Sequence, residues 1–237
     1  MLKQKQVETD STNPYHIGII IDGNRRWAKK RGLSTLTGHA KGIKNVKKIV
    51  FYSQKKGIKF LTLYGFSVKN WERSKKEVDH LMKIFEGFID KNIKEFHKRG
   101  IQLRHLGVLD RLPVSLQKKI KQSIDLTKHN QKMVLSVALN YGGRDEIKRM
   151  IQKLIKSKIK AEEITEKVIS QNLDTKNLPD PDLIIRTSGE QRLSGFLLWQ
   201  AAYAEFYFPK IYWPDFNTEE LDEAISVYKR RRRRFGK

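Results

Sequence analysis

Six short apolar or β-branched runs recur along this chain with longer segments of helical spacing between them. That alternation most constrains its fold. The runs cover residues 17–21, 60–66, 102–108, 134–140, 182–186 and 205–208. Between them, 39–56 carries Ile43, Val46, Ile49 and Val50, and 76–98 carries Val78, Leu81, Met82, Phe85, Ile89 and Ile93. Segments 116–126 and 146–155 keep the same helical period. Asn217, with Glu220 three residues later, reads as a capping pair opening a last helix. Strands alternating with helices predict an α/β protein with a mostly parallel central sheet flanked by helices on both faces. No linker, repeat or shift in composition divides the chain, so 14–237 reads as a single domain behind a flexible N-terminal segment, 1–13. In such sheets ligands bind outside the carboxyl ends of the strands, and the polar motifs of this chain all follow strands.

With 237 residues, 38% of them hydrophobic, the chain can build a substantial core. Its formal net charge of +23 fits three kinds of partner: nucleic acid, an anionic membrane surface or a phosphorylated substrate. A lysine-rich composition without functional meaning gives the same number. The absence of cysteine excludes disulfides, thiolate metal sites and cysteine nucleophiles. No run approaches the ~20 apolar residues of a membrane span, and residues 1–13 lack the apolar stretch of a signal peptide. A soluble cytoplasmic protein is the expectation.

Directly after the first run comes Asp22-Gly23-Asn24-Arg25-Arg26-Trp27-Ala28. A carboxylate, a glycine that lets backbone approach a ligand, and two guanidiniums at a helix start suit a metal-assisted diphosphate site. The plain alternative is a strand–turn–helix with a solvated basic turn. Four further clusters follow. Phe66-Ser67-Val68-Lys69-Asn70-Trp71-Glu72-Arg73-Ser74 succeeds the second run, and Asn140-Tyr141-Gly142-Gly143-Arg144-Asp145 the fourth. The stretch Arg186-Thr187-Ser188-Gly189-Glu190, with Arg192 and Ser194, succeeds the fifth; Trp199 to Glu205 leads on to Trp213-Pro214-Asp215-Phe216. Taken singly, each has an ordinary structural reading: Trp71 as a core aromatic, the two glycines as a tight turn, Arg186 as an ion-pair partner of Glu190.

Taken together, in this order, the boxes resemble those of the cis-prenyltransferases, also called undecaprenyl diphosphate synthases or isoprenyl transferases. The likeness spans residues 14 to 236. It implies a homodimeric α/β enzyme that is not a Rossmann dinucleotide-binding protein. It further implies condensation of isopentenyl diphosphate onto an allylic diphosphate, farnesyl diphosphate being the expected primer, with cis stereochemistry and Mg²⁺. The product implied is a long polyprenyl diphosphate, about undecaprenyl in length, as lipid carrier for cell-wall glycan synthesis.

Residue by residue, the resemblance implies that Asp22 holds Mg²⁺ and helps the allylic diphosphate leave. Gly23, Asn24, Arg25 and Arg26 would cradle that diphosphate, with His39 and Arg73 as further contacts and Trp27 and Trp71 lining the site. Ser67, Val68 and Lys69 belong to the same substrate-binding box. Asn70 matches the residue proposed to assist proton removal from the isopentenyl unit; an amide is a poor base, so it reads as an orienter, with released diphosphate or water as acceptor. Arg186, Arg192, Leu193 and Ser194 match the isopentenyl diphosphate site. Glu205 matches a second metal-associated carboxylate, reaching across the dimer, and Arg234 a terminal diphosphate contact to the partner subunit. The arginine run 230–234 also reads as a cationic helix end. The segment 77–98 would line an apolar elongation tunnel, with Gly65 leaving room beside it.

The sequence departs from the family's pattern at four places. Lys69 stands where many bacterial members have Glu, Arg25 where many have Gly, Thr35 where many have a phosphate-contacting Arg, and Ser188 where many have Gly. Two other readings remain: a non-catalytic family-like subunit, and a basic nucleic-acid-binding protein, for which the sequence offers no motif. No nucleic acid is expected; peripheral contact with an anionic membrane at its inner face is compatible with the enzyme.

Overall fold

The computed structural model describes residues 13–231. Of the expected N-terminal segment only Asn13 falls within them, its amide donating to Lys56 O at 2.9 Å; the expected contact at Arg234 lies outside. Six strands, β1 (His16–Ile20), β2 (Phe60–Ser67), β3 (Ile101–Leu106), β4 (Met133–Tyr141), β5 (Leu183–Arg186) and β6 (Glu205–Tyr207), form one sheet in the order β3-β4-β2-β1-β5-β6. Every pairing is parallel, so the expected mostly parallel sheet is wholly so among the described residues. The helices are α1 (Asn24–Lys30), α2 (Thr35–Lys55), α3 (Lys75–Lys98), α4 (Val114–Thr127), α5 (Gly143–Lys156), α6 (Glu166–Asn172) and α7 (Thr218–Arg230). The short α6, capped by Thr165, lies where the sequence suggested no helix.

Side chains alternate across a strand, and that alternation fills two cores. Ile17 and Ile19 of β1, with Leu61 and Leu63 of β2, pack on Val46, Ile49 and Val50 of α2 and on Leu221 and Ile225 of α7. Toward β4, Phe66 and Leu139 meet Leu81, Met82 and Phe85 of α3 and Leu116 and Ile120 of α4. On the opposite face Ile20, Tyr64 and Ile184 meet Phe196, Leu197 and Ala201. The 193–201 segment is held there by Gly143 N–H donating to Gly195 O at 2.7 Å. Ser34 and Ser74 cap α2 and α3, and Asn217 caps α7 as the spacing with Glu220 suggested.

The strand β2 is irregular at its carboxyl end. Its register against β4 shifts between Tyr64 and Phe66 and again at Ser67, which leaves Gly65 as an unpaired bulge residue. A Cβ at Gly65 would sit 2.9 Å from Leu139 Cδ2.

Candidate active site

Past the carboxyl ends of β1, β2 and β5 lies a cavity of about 950 Å³. Its floor is the turn leaving β1. Thr187, immediately after β5, fixes that turn: its hydroxyl donates to Asp22 O at 2.7 Å and accepts from Asp22 N at 3.0 Å. Trp213 N–H donates to the same carbonyl at 3.0 Å. Gly23 follows with φ +103°, and a side chain there would meet Tyr212 at 2.7 Å, so turn and packing both require glycine.

The Asp22 carboxylate points into the cavity among donors. Gly23 N–H reaches Oδ1 at 2.6 Å, Arg186 Nη2 reaches Oδ2 at 2.8 Å, and Arg26 Nη2 lies 3.6 Å from Oδ1. Arg186 is itself buried, donating to Ser194 Oγ at 2.8 Å and to Arg192 O. Arg26 donates to Glu190 Oε1 and Ser188 Oγ, both at 2.6 Å. Arg25, Lys29, Lys69 and Arg73 complete six cations in the cavity wall against one carboxylate. That excess makes the cavity an anion site, and guanidiniums suit diphosphate oxygens.

Across the cavity, Ser67 N–H donates to Asn70 Oδ1 at 3.0 Å. The amide oxygen is thereby used, and Asn70 presents its NH₂ as donor, which suits an orienter rather than a base. The sequence reading missed Glu77. Its Oε1 accepts from Arg73 Nη1 and meets His39 Nε2, each at 3.1 Å. Burial lowers the pKa of His39, against the pull of Glu77. The signal was present: Glu77 stands four residues after Arg73 and three after the capping Ser74.

Of the expected site residues, Asp22, Gly23, Asn24, Arg25, Arg26, His39, Ser67, Lys69, Asn70, Arg73, Arg186 and Ser194 line this one cavity. Thr35 also lines it. The others stand apart. Trp27 is buried behind it, donating to Asp215 Oδ1 at 2.7 Å with Arg31 stacked over its ring. Trp71 packs on Phe66 and donates to Asn140 Oδ1 at 2.8 Å. Both are indoles whose N–H found a polar partner away from the cavity. Val68 packs toward Gly142, and Leu193 against the core under Phe196. Arg192 turns outward to pair with Glu190. Glu205 opens β6 at the amino end of the sheet, pairing with Arg231 at 2.9 Å. Its strand neighbour Leu183 is level with Ile17, about 16 Å along the sheet from Asp22. One chain therefore does not join Glu205 to Asp22.

The described residues hold no group of three or more His, Cys, Asp or Glu placed to bind a metal. Asp22 alone could offer a carboxylate here, and a hard cation sharing it would need ligand phosphate oxygens and water to complete its shell. That donor set fits Mg²⁺ and would not fit a metal that needs several protein ligands.

Gly65 is shared between this cavity and a second, apolar one of about 90 Å³. The second lies between α3, α4 and the sheet, from Ile43 and Phe85 down to Phe96, Leu103 and Leu135; Arg104, His105 and Ser123 are its polar wall residues. Ile21, Ile43 and Phe85 also line both spaces, so the charged cavity adjoins an apolar one.

Comparison with known proteins agrees with this arrangement. The prenyltransferase family described as "Putative undecaprenyl diphosphate synthase" matches residues 20–236. An isoprenyl transferase of Clostridium perfringens is 52% identical over 227 residues, 94% of this chain and 90% of that protein. A ditrans,polycis-undecaprenyl-diphosphate synthase of Pasteurella multocida, named as specific for (2E,6E)-farnesyl diphosphate, is 48% identical over 97% of this chain and 98% of its own. Among solved structures, lavandulyl diphosphate synthase from Lavandula x intermedia, in complex with dimethylallyl diphosphate, superposes with a TM-score of 0.93 at 40% identity. That match covers 96% of this chain and all of the other. A probable undecaprenyl diphosphate synthase from Campylobacter jejuni gives 0.79 at 33% identity, covering 94% and 99%.

Proposed function

This chain belongs to the undecaprenyl diphosphate synthase family of prenyltransferases, and on that premise we propose that its charged cavity condenses isopentenyl diphosphate onto farnesyl diphosphate, with the growing chain entering the apolar passage. One observation carries the reading: six cations and a single carboxylate line a cavity that shares the wall residues Ile21, Ile43, Gly65 and Phe85 with a neighbouring apolar space.

Arg25, Arg26, Arg73 and His39, with the Gly23–Asn24 turn, hold the allylic diphosphate. Arg186 and Ser194 hold the isopentenyl diphosphate, with Arg192 swinging in from its exposed pairing with Glu190. Breaking the allylic C–O bond leaves negative charge on diphosphate and positive charge on carbon. The guanidiniums stabilise the first as it develops. The isopentenyl double bond supplies the electron pair for the new C–C bond, and a proton leaves its C2 for the released diphosphate or a water. Asn70, donating through its amide, orients the isopentenyl unit for that loss.

Asp22 is the residue that would hold Mg²⁺, and bound Mg²⁺ would supply Lewis-acid stabilisation of the departing diphosphate. Trp27, Trp71, Val68 and Leu193 act from behind the cavity wall, by fixing the segments that carry its ligands. A metal role for Glu205 requires a second copy of the chain, and we take the assembly to be a homodimer. The enzyme works in the cytoplasm, at the inner membrane face. The product is a polyprenyl diphosphate of about undecaprenyl length, a lipid carrier for cell-wall glycan synthesis.

The test is chain growth from labelled isopentenyl diphosphate and farnesyl diphosphate by the purified protein, with Mg²⁺ and with chelator. Metal-dependent elongation is the expected result. No product with farnesyl or any shorter allylic primer would overturn the reading in favour of a non-catalytic subunit.

A further inference from the structure

The opposite end of the sheet carries its own charge pattern. Lys59 precedes β2, Lys132 precedes β4, and Lys98 and Arg99 close α3. With Gln54 and Glu95 they line an open cleft of about 730 Å³. Glu95 is the one carboxylate in that lining, and its oxygens are taken by Lys47 at 2.6 Å and Arg99 at 3.3 Å. Lys59, Lys98 and Lys132, like nearby Lys55, are exposed and have no carboxylate within ion-pair distance among the described residues. The pattern is lateral: under β5 and β6 the same end of the sheet carries Asp180, Asp182 and Glu205 instead. The basic half lies beneath β2, β4 and β3.

Two exposed apolar side chains flank this cluster. Tyr15, 48% exposed, stands just before β1 with its ring against Phe60. Leu126, 45% exposed, is in the last turn of α4. Hydrogen bonds from Gln102 to Lys128 O and from Asn130 to Ile101 O tie that turn to the start of β3. Ammonium groups flanked by an aromatic and an aliphatic side chain match the headgroup–acyl boundary of a bilayer. Among the described residues Tyr15 is the one exposed large aromatic beside the cluster, whereas single-stranded nucleic acid stacks successive bases on several aromatic side chains.

The cluster also borders the deep end of the apolar cavity. Phe96 faces that cavity while its neighbours Glu95, Lys98 and Arg99 face the cleft. The Phe51 and Phe96 rings meet edge to face at 5.5 Å, and the Arg99 guanidinium lies 3.9 Å over Phe51.

We propose that this end of the molecule docks on an anionic phospholipid surface. Lys55, Lys59, Lys98, Arg99 and Lys132 take the headgroup phosphates, Tyr15 and Leu126 enter the interfacial layer, and the deep end of the apolar cavity faces the bilayer. The orientation of a product toward lipid rests on the enzymatic reading above; the docking itself does not.

The experiment is sedimentation of the full chain with vesicles of phosphatidylcholine alone, or of phosphatidylcholine with phosphatidylglycerol, at low and high salt. Three proteins are compared: the wild type, the triple variant Lys59→Glu/Lys98→Glu/Lys132→Glu, and the equal-charge control Lys153→Glu/Lys156→Glu/Lys167→Glu on α5 and α6. Thermal unfolding verifies that each is folded, and turnover in detergent reports the enzyme reading separately. Wild type and control should bind the anionic vesicles and not the neutral ones, with the face variant weaker by about tenfold or more. Turnover should be the same in all three. Equal loss in both variants, undiminished binding by the face variant, or no binding by the wild type would overturn the docking. So would binding of a labelled RNA, in place of vesicles, that the face variant loses.

Discussion

Arg186 grips one oxygen of Asp22 through two nitrogens, Nη2 at 2.8 Å and Nε at 3.3 Å. The pair joins the ends of β1 and β5, and the arginine is almost wholly buried. Asp22→Ala should therefore have two separable effects. Turnover should fall by about a thousandfold, as for loss of a group acting on developing charge. The melting temperature should also fall, because a buried guanidinium loses its partner. Arg186→Lys should keep the charge but lose the two-pronged grip, raising KM for isopentenyl diphosphate. Steady-state kinetics beside calorimetry separates the two effects; unchanged turnover in Asp22→Ala would remove it from the chemistry.

Glu77 holds His39 and Arg73 in one place. Glu77→Gln keeps the shape and removes the charge. The expected result is a rise of about tenfold in KM for the allylic diphosphate, the scale of one charged hydrogen bond, with kcat little changed. An equal fall in kcat at constant KM would show that Glu77 acts in the transition state.

Asn70→Ala removes the donor amide and the brace to Ser67 N–H. Turnover should drop far more than substrate affinity. Single-turnover measurement with bound substrates is the check, and an intact chemical rate would refute the orienting role.

At Gly65 a side chain would fill the junction of the two cavities, with its first carbon already 2.9 Å from Leu139 Cδ2. Gly65→Leu should shorten the products, read by chromatography of the dephosphorylated chains, and cost about 1–3 kcal/mol of stability through overpacking. Products of unchanged length would exclude Gly65 from the chain's path.

His16 ties β1 to its surroundings through Pro179 O and Thr62 Oγ1, each at 2.8 Å. Burial pushes its imidazole down to about 4. The unfolded chain therefore takes up a proton near pH 6.5 that the native state refuses until about pH 4. Its stabilisation is complete above pH 6.5 and is lost as pH falls through that window, by about 3 kcal/mol. Denaturant titrations of wild type and His16→Gln should differ less at pH 4.5 than at pH 7.5, pH values about two units below and one above the ordinary histidine value. A constant difference would mean that His16 does not titrate in this way.

The strands and long helices were legible because burial on alternate or helical faces leaves a strict period, as in Ile17/Ile19 and Leu81/Phe85. So was the set of charged residues after β1, β2 and β5, which a parallel topology gathers at one edge. What stayed hidden depended on packing in three dimensions. Trp27 and Trp71 sit in the right boxes but turn away from the cavity, since a period gives a face and not a rotamer. Glu77 looked like any first-turn acid until His39 and Arg73 met on it. The β2 bulge left no composition signal beyond one glycine. The brevity of α6 left too few apolar positions for any period to emerge.

The apolar passage holds only about 90 Å³, far less than a chain of many prenyl units displaces. On the proposed reading, each condensation would push α3 and α4 further from β2 and β4, loosening the cluster of Phe85, Leu116 and Leu139. Burial of each added unit repays part of that work at about 25 cal/mol per Å², while the strain of parting a close-packed interior mounts. On that reading growth would halt where the two become equal. Product length on this view is less a fixed ruler than a mechanical equilibrium, and softening the α3–sheet contact should lengthen the chain without any change at its mouth.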